Sequence, residues 1–146
     1  MRAPPPGGPP LYDEIEHTAD VGIIVRAEDP AALFEKAALA LYAIMVDTGC
    51  VELRGDRGVV ASGEGWPELL HAWLSEILVL FSTEEFVARE VVVEELDAGR
   101  IRGRLRGERF DPARHEFRGE VKAVTYHDLA VTKDQGGWCA RVIFDV

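Results

Sequence analysis

The chain has 146 residues, 47% of them hydrophobic, which suits one domain with a real core. Its 26 acidic and 16 basic residues leave a formal net charge of -10. That opposes a broad, sequence-blind grip on nucleic acid, which relies on Lys and Arg displacing counterions. There is no apolar run of the roughly 20 residues a membrane span needs, no secretory signal pattern, and no metal or redox spacing between Cys50 and Cys139, so a soluble, cytoplasmic protein with reduced thiols is expected.

Residues 1–10 hold five of the eight prolines and are expected to be a disordered tail, with one domain over 11–146. Leu11–Glu16 and Ile23–Glu28 alternate as strands do, with a polar break at 17–22 between them. Asp29 can cap a helix whose first residue is Pro30. Leu33, Phe34, Ala37, Ala38, Leu41, Tyr42 and Met45 then make one apolar face, predicting a helix over 30–47 with Gly49 beyond it as a C-terminal cap. Residues 51–61 read as two short strands around a turn at 55–58. Pro67 opens a second helix over 66–82, with Leu70, Trp73, Leu74, Ile77, Leu78 and Phe81 as its stripe. Glu76 lies off that stripe and reads most simply as a solvated helix residue.

Phe86–Leu96 and Arg100–Arg106 predict a hairpin with Ala98-Gly99 as its loop. Asp97 then faces Arg100, Leu96 faces Ile101, Glu95 faces Arg102 and Val92 faces Leu105. Arg100, Arg102, Arg104 and Arg106 share one face, which reads as a charge-matched solvated surface or as an RNA patch. A loop runs from Phe110 through His115. Glu120–His127 predicts a largely buried strand in which Lys122 is the odd residue. Residues 134–137 read as a hairpin turn. Trp138–Asp145 is the closing strand, with Trp138, Ala140, Val142 and Phe144 on one face and Cys139, Arg141, Ile143 and Asp145 on the other. The sum is an α+β fold: a single domain with two helices packed on a mostly antiparallel β-sheet.

The chain carries no phosphate-cradling glycine loop, nucleophile elbow or metalloprotease helix. Asp20, the one fixed charge in the first polar break, is either a turn-former or a ligand. If the terminal strand lies beside that break, Asp20, Asp145 and the Val146 carboxylate make an all-oxygen cluster of the kind calcium or magnesium prefers. His17 beside Asp20 is the one histidine placed to act as a base there. These residues leave a metal-dependent phosphoesterase and a direct RNA-binding module open as functions.

Four blocks, in order, resemble the archease family. They are His17-Thr18-Ala19-Asp20-Val21-Gly22; Ser75-Glu76-Ile77-Leu78 with Leu80-Phe81; Glu120 through His127; and Gly137-Trp138 with Ala140 through Val146. The likeness runs from about Tyr12 to the last residue. It implies a protein cofactor, not a stand-alone enzyme. Its partner would be the GTP-dependent RNA ligase that joins cyclic-phosphate and hydroxyl RNA ends in tRNA splicing and RNA repair. The cofactor promotes ligase guanylylation and repeated turnover. The resemblance also implies a metal site at Asp20, Asp145 and Val146, with calcium the expected ion, and functional roles for Glu76 and Lys122. Neither stable direct binding of nucleic acid nor contact with a membrane is expected.

Overall fold

The computed structural model describes residues 12–17 and 20–146, without the side chains of residues 14–17. The expected tail at 1–10 and the His17 side chain lie outside the described residues. Two α-helices, α1 (Pro30–Met45) and α2 (Trp66–Glu84), pack against antiparallel sheets. The first sheet runs β1 (Asp13–His17), β2 (Asp20–Ala27), β10 (Gly137–Asp145) and β8 (Ala123–Val124), with β9 (Ala130–Asp134) also pairing with β10. The second runs β4 (Gly55–Ser62), β6 (Arg100–Arg109) and β5 (Phe86–Asp97). A short ladder joins β3 (Val46–Asp47) to β7 (Glu116–Phe117). Among the described residues, no helix is long and apolar enough to cross a membrane.

Both helices form where the apolar spacing predicts them. The Asp29 side chain accepts from the Ala32 N–H at 2.8 Å and closes the first turn of α1. Its fully buried face, with Leu33, Phe34, Ala37, Leu41 and Tyr42, packs on β5 and on β2 and β10. Trp73 of α2 is fully buried, and its indole N–H donates to the Phe34 carbonyl at 3.0 Å, tying one helix to the other.

The departures from expectation have tertiary causes. α1 ends at Met45, two residues before the expected end at 47 and without Gly49 as its cap, because Val46 turns extended and pairs with Phe117. Gly49 instead sits in a single 3-10 turn, where its N–H meets Asp47 Oδ1. Residues 55–58 are no turn: they run straight in β4, Gly55 opposite Gly107 and Gly58 opposite Arg104. The β5–β6 hairpin keeps the expected register at Asp97–Arg100, Leu96–Ile101 and Glu95–Arg102. A bulge between Val93 and Glu95 then shifts it by one, so Val92 faces Arg104 instead of Leu105. The Glu35 carboxylate accepts from the Val93 N–H there at 2.8 Å. Glu120–His127 is not a largely buried strand. Only Ala123–Val124 pairs as a strand, Val121 and Val124 are its buried residues, and Tyr126 is 66% exposed.

One buried polar cluster sits under the loop after β6. Glu108 and His115 are buried, and the Glu108 carboxylate accepts from Arg114, from His115 and from the Glu52 N–H. The hydrogen bond from Arg114 leads the forces that hold this carboxyl down, from its ordinary 4.5 to about 2.

Two stability measurements follow from this packing. A Cβ added at Gly107 would lie 1.8 Å from the Val87 carbonyl oxygen, whereas one at Gly58 meets nothing within 4 Å. In urea titrations Gly107→Ala should cost about 1–3 kcal/mol, and Gly58→Ala should stay within about 0.5 kcal/mol of the parent. Because the folded value of Glu108 lies below its unfolded one, its contribution is complete above 4.5 and is lost as pH falls toward about 2. Glu108→Gln should flatten that acid limb of the stability profile, and an unchanged limb would assign acid unfolding to other carboxylates.

Candidate functional site

The site assembles where the two ends of the folded chain meet. β10 lies between β2 on one side and β8 and β9 on the other. Its apolar alternation sends Ala140, Val142 and Phe144 into the core, opposite Val25, Ile23 and Val21 of β2. The intervening residues take the other face. In this register Asp145 stands directly opposite Asp20. Facing residues of an antiparallel pair point to the same side, with Cβ atoms about 4.5–5.5 Å apart. Both aspartates are half-buried. Asp20 is therefore not in a connection but is the first paired residue of β2, with His17 of β1 across from it on the other side. The cause is the tightness of the β1–β2 hairpin, whose pairing extends to His17 and Asp20.

The same strand end gathers Lys122. Its N–H donates to the Asp145 carbonyl at 2.7 Å, and Ala123 pairs with Asp145. Lys122 is exposed at this edge. Val146 packs half-buried against the core, adjoining Asp145. Glu76 stays exposed on α2, and among the described residues no hydrogen bond or ion pair links it to the aspartates. Among the described residues, the side-chain oxygen donors facing each other here are the carboxylates of Asp20 and Asp145. Among the described residues, no group of three His, Cys, Asp or Glu side chains gathers as a metal centre.

A second feature of this edge is not visible in the sequence. His71 of α2 stacks on Tyr126, ring centroids 3.8 Å apart and planes 10° apart, while its Nε2 meets the Val124 carbonyl at 2.8 Å. Thr125 donates through its N–H and its hydroxyl to the Ile143 carbonyl. Together these contacts clamp the 122–126 segment between α2 and β10. His71 stands 53 residues from Val124, and Thr125 stands 18 from Ile143, so no local spacing signals these contacts. His127 does meet Asp128 at 3.4 Å, but as an exposed surface pair.

Three of the four outward arginines of β6 are charge-matched. Arg102 pairs with Glu95 at 3.0 Å, Arg104 with Asp56 at 3.0 Å, and Arg106 with Glu90 at 3.1 Å.

The model of the Archease protein family matches residues 12–146. The chain belongs to the archease family. Relatives named "Protein archease" include one from Methanopyrus kandleri, 39% identical over 138 residues, covering 92% of this chain and 99% of that one. Another, from Archaeoglobus fulgidus, is 41% identical over 137 residues, covering 92% and 98%. The solution structure of Methanobacterium thermoautotrophicum protein 1598 superposes with a TM-score of 0.80 at 36% identity, covering 93% of this chain and 99% of that one. All four archease-like blocks quoted above fall inside the matched span; the geometry of residues 18–19 lies outside the described residues.

In this archease-family fold the facing aspartates set a measurable electrostatic cost. Like charges directly opposite across a sheet destabilise it. Without divalent cations and at low salt, Asp20→Asn or Asp145→Asn should raise stability by about 0.2–1 kcal/mol. Thermal unfolding at low and high salt checks this, and a gain that survives high salt would point to something other than charge repulsion.

Proposed function

We propose that this chain is a protein cofactor of a GTP-dependent RNA ligase, promoting ligase guanylylation and repeated turnover in tRNA splicing and RNA repair, and is not itself an enzyme. The observation that carries the reading is the Asp20–Asp145 pair at the meeting point of β2, β10 and β8, in a chain of the archease family. Support also comes from charge. A net charge of -10 suits docking on a cationic, RNA-handling partner through complementary potential.

The donor set fits a hard divalent cation, with calcium the first choice. Asp20 and Asp145 offer oxygen ligands on one face, and the Val146 carboxylate would be the third donor. A bound cation would neutralise the facing carboxylates and offer a Lewis-acidic centre to phosphate oxygens. Lys122, held by its backbone to Asp145, orients a partner carboxylate or phosphate with its ammonium. Glu76, exposed on α2, is assigned to partner contact, and His17 to the rim of the site opposite Asp20. The charge-matched arginine strand is surface, not a contact for RNA.

The test is guanylylation of a matched RNA ligase with and without this protein. Asp20→Asn and Asp145→Asn should fold and lower the stimulated rate about tenfold or more, equivalent to about 1.4 kcal/mol of activation free energy. They should also remove the rise in melting temperature that calcium gives by binding only the folded form. Arg104→Glu should leave stimulation within a few-fold of the parent. Full stimulation by both aspartate variants would make the pair incidental, and loss of stimulation in a folded Arg104→Glu would make the strand a docking face.

A further inference from the structure

A second site lies in the other half of the fold. An open cavity of about 480 Å³ is lined by Arg54, Arg57, Arg109 and Arg114, with Phe86 and Phe110 as apolar walls. None of these residues belongs to β2, β8 or β10. Four guanidinium groups converging on one cavity are conspicuous in a chain with a net charge of -10. Two carboxylates also line it, Glu108 and Asp111. Both are engaged: Glu108 is buried beneath Arg114, and Asp111 accepts from Arg114 and from the Ala113 N–H.

The guanidinium groups are held in place yet keep donors for a ligand. Arg114 is fixed by three hydrogen bonds, two to Glu108 and one to Asp111. Arg57 lies over the Phe86 ring at 4.7 Å and donates to Glu84 and to the Asp56 carbonyl. Arg54 donates to Glu52, and Arg109 donates to Glu85. A guanidinium has five N–H donors, so each retains N–H groups free of these bonds. The partner carboxylates Glu52, Glu84 and Glu85 are exposed, and exposed ion pairs hold weakly in water. A phosphate group, which guanidinium forks grip bidentately, competes with them on favourable terms. The cavity volume is in the range of small-molecule sites.

We propose that this cavity binds the di- or triphosphate group of a small ligand, free or carried by a nucleoside, with Arg54, Arg57, Arg109 and Arg114 as the donors and Phe110 as the wall beside it. The assignment is independent of the ligase reading, since it needs neither aspartate nor partner.

Calorimetric titration of the full chain with ATP, pyrophosphate and adenosine, without divalent cations and at low salt, tests it. ATP or pyrophosphate should bind with Kd below about 1 mM, and adenosine should not. Tighter binding of ATP identifies a nucleoside-borne phosphate; equal binding identifies free polyphosphate. Arg54→Gln with Arg109→Gln removes two exposed donors outside the core and should weaken binding about tenfold or more while the melting temperature holds. Arg26→Gln, which removes a charge from β2, should leave binding unchanged. The proposal is overturned by no saturable binding, by adenosine matching ATP, or by Arg26→Gln weakening binding as much as the double variant does.

Discussion

Everything at the candidate site depends on the pairing of β10 with β2. That pairing joins residues at opposite ends of the sequence, from Trp138–Ala27 through Asp145–Asp20. Its register is held by the apolar face of both strands. Val142 and Ile23 are fully buried opposite each other, and the fully buried Phe144 faces Val21, which is partly buried against the same core. A slip by one residue would turn that face to water and the aspartates into the core. The energy that sets the two carboxylates side by side is therefore hydrophobic, and it exceeds the repulsion between them. Burial of a single large apolar side chain is worth about 1.5–3 kcal/mol, while a facing like-charge pair costs about 1 kcal/mol or less.

The helices supply the second constraint. α1 packs on strands of both larger sheets, so it fixes one sheet relative to the other. Trp73 of α2 fills the gap above β6, where a Cβ at Gly103 would lie 2.5 Å from the indole. Small residues in β6 are thus the complement of a large one in α2. The arginines alternate with these buried positions, Ile101, Gly103, Leu105 and Gly107 facing in, and their outward face follows from the same period. Their charge is met by carboxylates on both neighbouring strands, Asp56 on β4 and Glu90 and Glu95 on β5.

How much of this was legible follows from the range of each interaction. Both helices were readable because their apolar faces repeat locally and Asp29 and Pro67 mark their starts. The two faces of β10 were readable for the same reason, and so was the tip of the β5–β6 hairpin. The strand at 55–58 was not. Two glycines and two charges read locally as a turn, and pairing with β6 overrides that preference. The bulge that moves Val92 from Leu105 to Arg104 leaves no mark in the alternation, because β5 is apolar or charged on both sides of it. The β8 segment reads as buried because its alternation is poor, yet it is a short edge whose exposed residues are held by main-chain bonds. Asp20 and Asp145 stood out as candidates in sequence, but their opposition across a sheet is a property of the register alone.

The distribution of charge links the two halves of the molecule. One end of the first sheet sets Asp20 and Asp145 opposite each other, while the second sheet and its loops carry most of the guanidinium groups. Arg102, Arg104 and Arg106 on the outer face of β6 are matched by carboxylates of the neighbouring strands, so their field is short-ranged at physiological salt. Among those around the cavity after β6, Arg114 differs in kind. Arg114 is anchored by a buried carboxylate, and building that anchor takes Glu108 and His115 out of solvent together. A surface pair would need no such foundation. The buried Glu108 holds one guanidinium in a fixed orientation at the cavity wall, and its burial is offset by the hydrogen bonds that it accepts from Arg114, His115 and the Glu52 N–H. This contrast sets Arg114 apart from the arginines of β6: its guanidinium is fixed from below, while theirs are matched only at the surface.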